Sequence, residues 1–127
     1  FMHLHARLNG HMPVEVVPAI TGMSAAWTAT DMPITWGDDV LTVIMGTLPE
    51  AELARRMADT DALLVMKIGR NSAKVRCALR TAGRHDDAWL VEHAAMPGQI
   101  VRPLAEVAED TASYFSIVIV HGRGRRP

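Results

Sequence analysis

Six histidines are the first candidates for chemistry in this chain of 127 residues, and their spacing argues against a shared metal. His3 and His5 stand two apart on a stretch that reads as helix, so they point to different faces. His11, His85, His93 and His121 fall in separate segments, with no His-Glu-x-x-His or paired Cys/His spacing. The reading is no metal site. Asp38 and Asp39 are adjacent carboxylates after Gly37, a pattern that caps or solvates a turn more often than it shares a proton. The single Cys77 has no acid-base pair beside it, and no Gly-x-Ser-x-Gly elbow occurs, so nucleophilic catalysis lacks a candidate. Neither Gly-x-Gly-x-x-Gly nor a P-loop is present, which argues against a dinucleotide or nucleoside-triphosphate enzyme confined to this segment.

The elements that would position a site alternate along the chain. Residues 1–9 read as helix, and Val14-Glu15-Val16-Val17 as a short strand stopped by Pro18. A helix is expected from Gly22 to Ala29, with the Thr21 hydroxyl capping its free N–H groups. Leu41-Thr42-Val43-Ile44-Met45 is a strand, and Pro49 opens a helix over 50–58 in which Leu53 and Met57 share one face. Ala62-Leu63-Leu64-Val65-Met66 is apolar without alternation, as in a strand covered on both faces. A helix from Asn71 or Ser72 through Leu79 is ended by Gly83. Strands are expected at Ala88–Val91, near Ile100-Val101, and at Tyr114–Val120. Strands interleaved with helices imply one α/β domain with one sheet.

About half of the residues are apolar, enough for a single core. The formal net charge is −1 with both signs scattered, so no electrostatic footprint for nucleic acid appears. Arg123-Gly124-Arg125-Arg126-Pro127 reads as a solvated tail. No apolar run approaches the roughly 20 residues of a bilayer span, no signal-peptide pattern opens the chain, and one cysteine precludes an internal disulfide. A cytoplasmic location is expected.

Two segments combine these features. Val65-Met66-Lys67-Ile68-Gly69-Arg70-Asn71 and Val91-Glu92-His93-Ala94-Ala95-Met96-Pro97-Gly98-Gln99 each end an apolar run in small or backbone-exposing residues, as where a sheet edge meets a flat ligand. With Pro18-Ala19-Ile20-Thr21-Gly22-Met23-Ser24, Trp36-Gly37-Asp38-Asp39 and Tyr114-Phe115-Ser116-Ile117-Val118, they resemble the tetrapyrrole methylases that use S-adenosylmethionine. The likeness is nearest to the branch that methylates precorrin-2 at carbon 20. His93 and Ala95 stand where close relatives more often have Arg and Thr.

The resemblance implies a single layered α/β domain whose sheet is mixed and largely antiparallel, flanked by helices. On topology it outweighs the parallel crossovers that alternating elements would otherwise favour. It places the end of an N-terminal domain or an interdomain helix at 1–12, the C-terminal methylase domain at 13–121, and a basic disordered tail at 122–127. The family's Gly-rich loop and Gly-Asp-Pro segment are not in this sequence, so the chain is expected to be the second half of such an enzyme and inactive alone. The implied partners are precorrin-2 and a second copy in a homodimer.

The implied chemistry explains the bland inventory. A sulfonium donor is already activated, so the protein has chiefly to align nucleophile, methyl carbon and sulfur in a dry cleft. A meso carbon of precorrin-2 would attack the methyl group in line, giving precorrin-3A and S-adenosylhomocysteine. By resemblance, Thr21 and Gly22 lie beside the cofactor, Ile68 packs on adenine, and Ala94, flanked by Ala95 and Met96, reads the adenine edge through its backbone. Lys67 and Arg70 would meet substrate carboxylates. No catalytic residue is assigned. Ordinary core at Ile68 and a plain strand end at Ala94 are the competing readings, and a helix cap at Thr21 is an alternative that can hold together with a place beside the cofactor. Another ring-carbon methylase of the same pathway, or a non-catalytic binding or dimerisation fragment, are alternatives for the whole.

Overall fold

The computed structural model describes residues 2–108 and 112–124. In chain order its elements are α1 (Met2–Leu8), α2 (Gly22–Ala29), β1 (Leu41–Met45), α3 (Glu50–Ala58), β2 (Ala62–Met66), α4 (Ser72–Thr81), β3 (Ala88–Glu92), β4 (Ile100–Pro103) and β5 (Ser116–Val120). Short 3-10 turns at Gly69–Asn71 and Leu104–Glu106 complete them.

The strands form one sheet in the order β1-β2-β5-β3-β4. β1 and β2 are parallel, with α3 in the connection between them, and every other neighbouring pair is antiparallel. The sheet is thus mixed and largely antiparallel. Because a strand's side chains alternate between faces, each central strand feeds two cores. Leu63 and Val65 of β2, Leu90 of β3, and Val118 and Val120 of β5 pack with Leu53 and Met57 of α3 and Val75 and Leu79 of α4. Leu64, Val91 and Ile119 turn the other way, onto Ala26, Met23 and Trp27 of α2. Burial on both faces is why β2 reads as an uninterrupted apolar run.

Local signals end the helices. Gly83, at φ +66, follows α4; its N–H donates to the Arg80 carbonyl and that of Arg84 to Leu79, closing the helix through the left-handed residue that glycine tolerates. The Arg84 guanidinium then donates to the carbonyls of Met57, Thr60 and Asp61, so the chain leaving α4 satisfies the chain leaving α3. Asp39 caps its own turn through Trp36 N–H and reaches Gly124 N–H, both at 3.0 Å.

Two expectations need correction. Val14–Val17 is not a strand: Val16 and Val17 are exposed, no partner strand lies beside them among the described residues, and a strand without a ladder leaves its backbone to water. The tail does not begin at 122 either. Gly122 N–H donates to the Ile34 carbonyl at 2.8 Å, and Arg123 pairs with Asp87. Residues 125–127, including Arg125 and Arg126, lie outside the described residues.

Candidate functional site

The topology brings the C-terminal ends of β1, β2 and β3 and the N-terminal end of β5 to one edge of the sheet. There a cavity of about 790 Å³ opens. Its walls are Thr47 after β1, Met66 to Asn71 at the end of β2 except Ile68, Ala94 and Met96 after β3, Ala112 and Tyr114 to Ile117 entering β5, and Gly22 at the start of α2. The volume lies within the range of small-molecule and cofactor sites, and the lining is predominantly apolar.

Backbone conformation marks the same edge. Of the four non-glycine residues at positive φ among the described residues, Lys67, His93 and Ala95 lie there, at +55°, +52° and +58°. Each costs about 1–2 kcal/mol relative to an ordinary conformation and must be held by its surroundings. At Ala95 the holding group is Gln99, whose side-chain oxygen accepts the Ala95 N–H at 2.7 Å. Met96 N–H closes a turn onto the His93 carbonyl at 2.9 Å. Ala94 sits inside that turn, so its own amide groups take no part in closing it, and the residue lines the cavity. On β2, Asn71 Nδ2 donates to the Lys67 carbonyl at 3.2 Å, tying down the other left-handed residue.

A buried carboxylate organises the far wall. Glu92 closes β3, and its Oε1 accepts from Ser113 N–H at 3.0 Å and from the Ser116 hydroxyl at 2.9 Å. The Arg102 guanidinium lies 3.5 Å from Oε2. Burial pushes the Glu92 carboxyl up, but the two serine donors and the Arg102 charge outweigh it and hold the group below the ordinary glutamate range. Between the two serines, Tyr114 and Phe115 project at the rim, their rings 5.1 Å apart edge to face. His93 lies 5.5 Å from Phe115 on the other side, and its N–H donates to the Phe115 carbonyl.

Residues 1–108 match the family model described as tetrapyrrole (corrin/porphyrin) methylases. The chain belongs to the tetrapyrrole methylase family. It is 51% identical over all 127 residues to a precorrin-2 C(20)-methyltransferase of Sinorhizobium sp, covering 52% of that protein. It is 46% identical over 126 residues to the cobalamin biosynthesis protein CobIJ of Mycobacterium tuberculosis, covering 25% of it. A cobalt-precorrin-2 C(20)-methyltransferase of Salmonella typhimurium is 34% identical over 110 residues, 85% of this chain and 46% of that one. The chain thus spans about half the length, or less, of the curated relatives it matches.

Among solved structures, the methyltransferase CobJ superposes with a TM-score of 0.67 at 22% identity, over 99% of this chain and 57% of that one. Uroporphyrin-III C-methyl transferase from Thermus thermophilus, complexed with S-adenyl homocysteine, gives 0.64 at 24%, over 93% and 57%. At those identities the likeness is one of fold. It accords with the mixed sheet described above.

The cavity gathers five of the residues singled out from sequence: Gly22, Lys67, Arg70, Ala94 and Met96. Three others are placed differently. Thr21 is the cap of α2, its Oγ1 accepting from Ser24 N–H at 3.2 Å, one residue outside the wall. Ala95 is exposed, behind the turn that presents Ala94. Ile68 is buried: its side chain is 1% exposed, packed in the core with Ile44, Leu53 and Val75, and it is not among the residues that line the cavity. The left-handed Lys67 reverses the chain just before it, and an apolar side chain then gains more from the core than from the rim.

Sequence reasoning overlooked Met66, Asn71, the Tyr114–Ile117 wall and Glu92. Glu92 had a signal: it is the one carboxylate at the end of the otherwise apolar run Ala88–Val91. The charges at Lys67 and Arg70 remain exposed. Among the described residues no group of three or more His, Cys, Asp or Glu is placed to hold a metal ion, and no helix is long and apolar enough to cross a membrane.

Proposed function

We propose that this chain forms the C-terminal part of an S-adenosylmethionine-dependent methyltransferase acting on precorrin-2 at carbon 20, in cobalamin biosynthesis. The observation that carries the reading is identity over the whole chain to a protein of that activity, met by an apolar cavity at the sheet edge. The higher identity to the Sinorhizobium protein than to the cobalt-precorrin-2 enzyme of Salmonella supports the metal-free substrate.

The residues present fit the donor. Its adenine is flat and largely apolar, with polar atoms along its edges. A cavity walled by Met66 and Ile117, with the backbone of Ala94 in its lining, suits such a ring. The start of α2 at Gly22 offers unpaired N–H groups and the positive end of a helix dipole to the donor's carboxylate. Lys67 and Arg70 supply cations to a substrate bearing many carboxylates. When bound, S-adenosylmethionine supplies a methyl group already activated by sulfonium charge. The chain's own task is then orientation and exclusion of water, and the strained turns at Lys67, His93 and Ala95 hold backbone groups to that task.

A homodimer belongs to the same reading, supported by the exposed apolar side chains of residues 2–21. A monomer in sedimentation at high concentration would remove that part.

The test of the reading uses the full-length protein. Wild type should bind S-adenosylhomocysteine in calorimetric titration and add one methyl group to metal-free precorrin-2 faster than to its cobalt form. Ala94→Phe fills the cavity from its wall and should weaken S-adenosylhomocysteine by at least about tenfold, a loss near 1.4 kcal/mol. Unchanged affinity in a folded variant means that the donor lies elsewhere. Ile68→Asp is not a substitute, because a charge at this core position would test the fold.

A further inference from the structure

Glu92 and the two rings it frames are not explained by the folding of the domain. Tyr114 is 89% exposed and Phe115 53%, although each belongs to a turn held at both ends. Large aromatic side chains presented together to solvent mark a contact site more often than chance. The turn is held from inside by a charge, which burial penalises unless its partners are in place. Here they are: Ser113 N–H and the Ser116 hydroxyl on Oε1 and Arg102 beside Oε2. A solvated loop would need none of this.

We propose that Tyr114 and Phe115 form an aromatic rest for the conjugated plane of the tetrapyrrole at the mouth of the cavity, and that the buried Glu92 carboxylate is the positioning residue that keeps it in place. The inference depends on the tetrapyrrole reading above. The mouth is assigned to the substrate because the deeper walls, at Met66, Ala94 and Ile117, are matched to the smaller ring of the donor. The transferable methyl group has to reach outward from there. Phe115 packs edge to face with Tyr114, at 88°, and is tilted by 51° to His93, so it buttresses the exposed Tyr114 ring, whose face is the one left to rest against a flat substrate. Lys67 and Arg70, exposed in the lining of the same cavity, supply cations for the carboxylates on the periphery of such a macrocycle.

Steady-state kinetics of the full-length protein with precorrin-2, alongside calorimetry with S-adenosylhomocysteine, test both halves. Tyr114→Ala should raise KM for precorrin-2 about tenfold, leaving kcat and S-adenosylhomocysteine affinity within about twofold. The shift of the tetrapyrrole absorbance on binding should shrink in the same variant. Glu92→Gln keeps the shape and one accepting oxygen but loses the charge facing Arg102, so a rise in KM of about threefold is expected. In a Tyr114→Ala, Phe115→Ala background the Glu92 substitution should add nothing to KM, since a positioning residue acts only through what it positions.

Each contrary result is decisive. A fall in S-adenosylhomocysteine affinity with KM unchanged gives the rings to the donor and overturns the proposal. An undiminished effect of Glu92→Gln in the ringless background overturns its positioning role. A wild type that methylates precorrin-2 while the ring variants are unaffected overturns this inference alone. A wild type that binds S-adenosylhomocysteine but no tetrapyrrole overturns the function with it.

Discussion

Residues 2–21 and the sheet that follows draw on the same apolar alphabet with opposite results. Leu4, Val17 and Ile20 stand largely exposed, whereas Leu63, Leu64 and Ile119 are fully buried. Composition cannot account for the contrast, and neither can helix propensity, since α1 forms over seven residues and still buries none of them. What differs is reach. Each strand of the body is paired with another strand, and Leu64 shares a buried cluster with Ala26 of α2, Val91 of β3 and Ile119 of β5. No residue of the arm belongs to either hydrophobic core cluster among the described residues. A helix of this length gains little from its own hydrogen bonds in water, so burial has to come from contact with something else. Apolar sequence is a capacity for burial, and long-range partners decide whether it is used.

Charge substitution should expose this contrast most sharply. Leu64→Asp puts an unpaired carboxylate into a core position with no exposure, and should cost more than about 4 kcal/mol in urea unfolding. Ile20→Asp in the arm should stay within about 0.5 kcal/mol. Equal losses would mean that the arm is packed in solution and that the comparison fails.

Gly46 offers a smaller break inside the body. A Cβ there would meet Val75 Cγ2 at 3.0 Å and the carbonyl oxygens of Lys67 and Met66 at 3.1 and 3.3 Å. Two of the three contacts are backbone and cannot yield easily. Gly46→Ala should therefore lose about 1–3 kcal/mol, and because the push falls on Lys67 it should also disturb the cavity wall. Full stability in thermal melts would show that β1 and β2 can separate at this end.

Acid titration tests Glu92. Its carboxyl is held below the ordinary glutamate range in the folded protein, so its contribution is fully present above the unfolded value and is lost as pH falls through the lowered folded one. Urea unfolding between about pH 3 and 6 should show wild-type stability falling toward that of Glu92→Gln as the pH drops. A constant gap between the two across the range would assign the difference to something other than ionisation.

The mildest effect is expected at the junction of arm and body. Thr21→Ala removes the cap of α2 and should cost about 1 kcal/mol, visible as a small loss in urea midpoint. No loss would indicate that the arm supplies the missing acceptor.

Much of the body was legible in local patterns. The bounds of β1, α3 and β2 follow from apolar runs between Pro49 and polar breaks, and the end of α4 from Gly83, because propensity, capping and periodicity act over a few residues. The separated blocks around Thr21, Ile68, Ala94 and Phe115 were enough to indicate the family and, through it, a largely antiparallel sheet. The site was less legible. Gly22, Lys67, Arg70, Ala94 and Met96 meet at one cavity, while the side chain of Ile68 is buried in the core and Thr21 caps α2 beside the wall.

Tertiary structure alone decided those matters whose partners are far apart in the chain. Val14–Val17 has strand composition and no ladder to join. Glu92 meets Ser113 and Ser116 only because β3 and β5 pair in one register, with Glu92 opposite Ser116. Lys67, His93 and Ala95 adopt left-handed conformations that their residue types disfavour, since the packing around them repays the strain. Local sequence sets which conformations are cheap. Which costly ones are kept, and which apolar side chains find cover, depends on contacts formed only when distant segments come together.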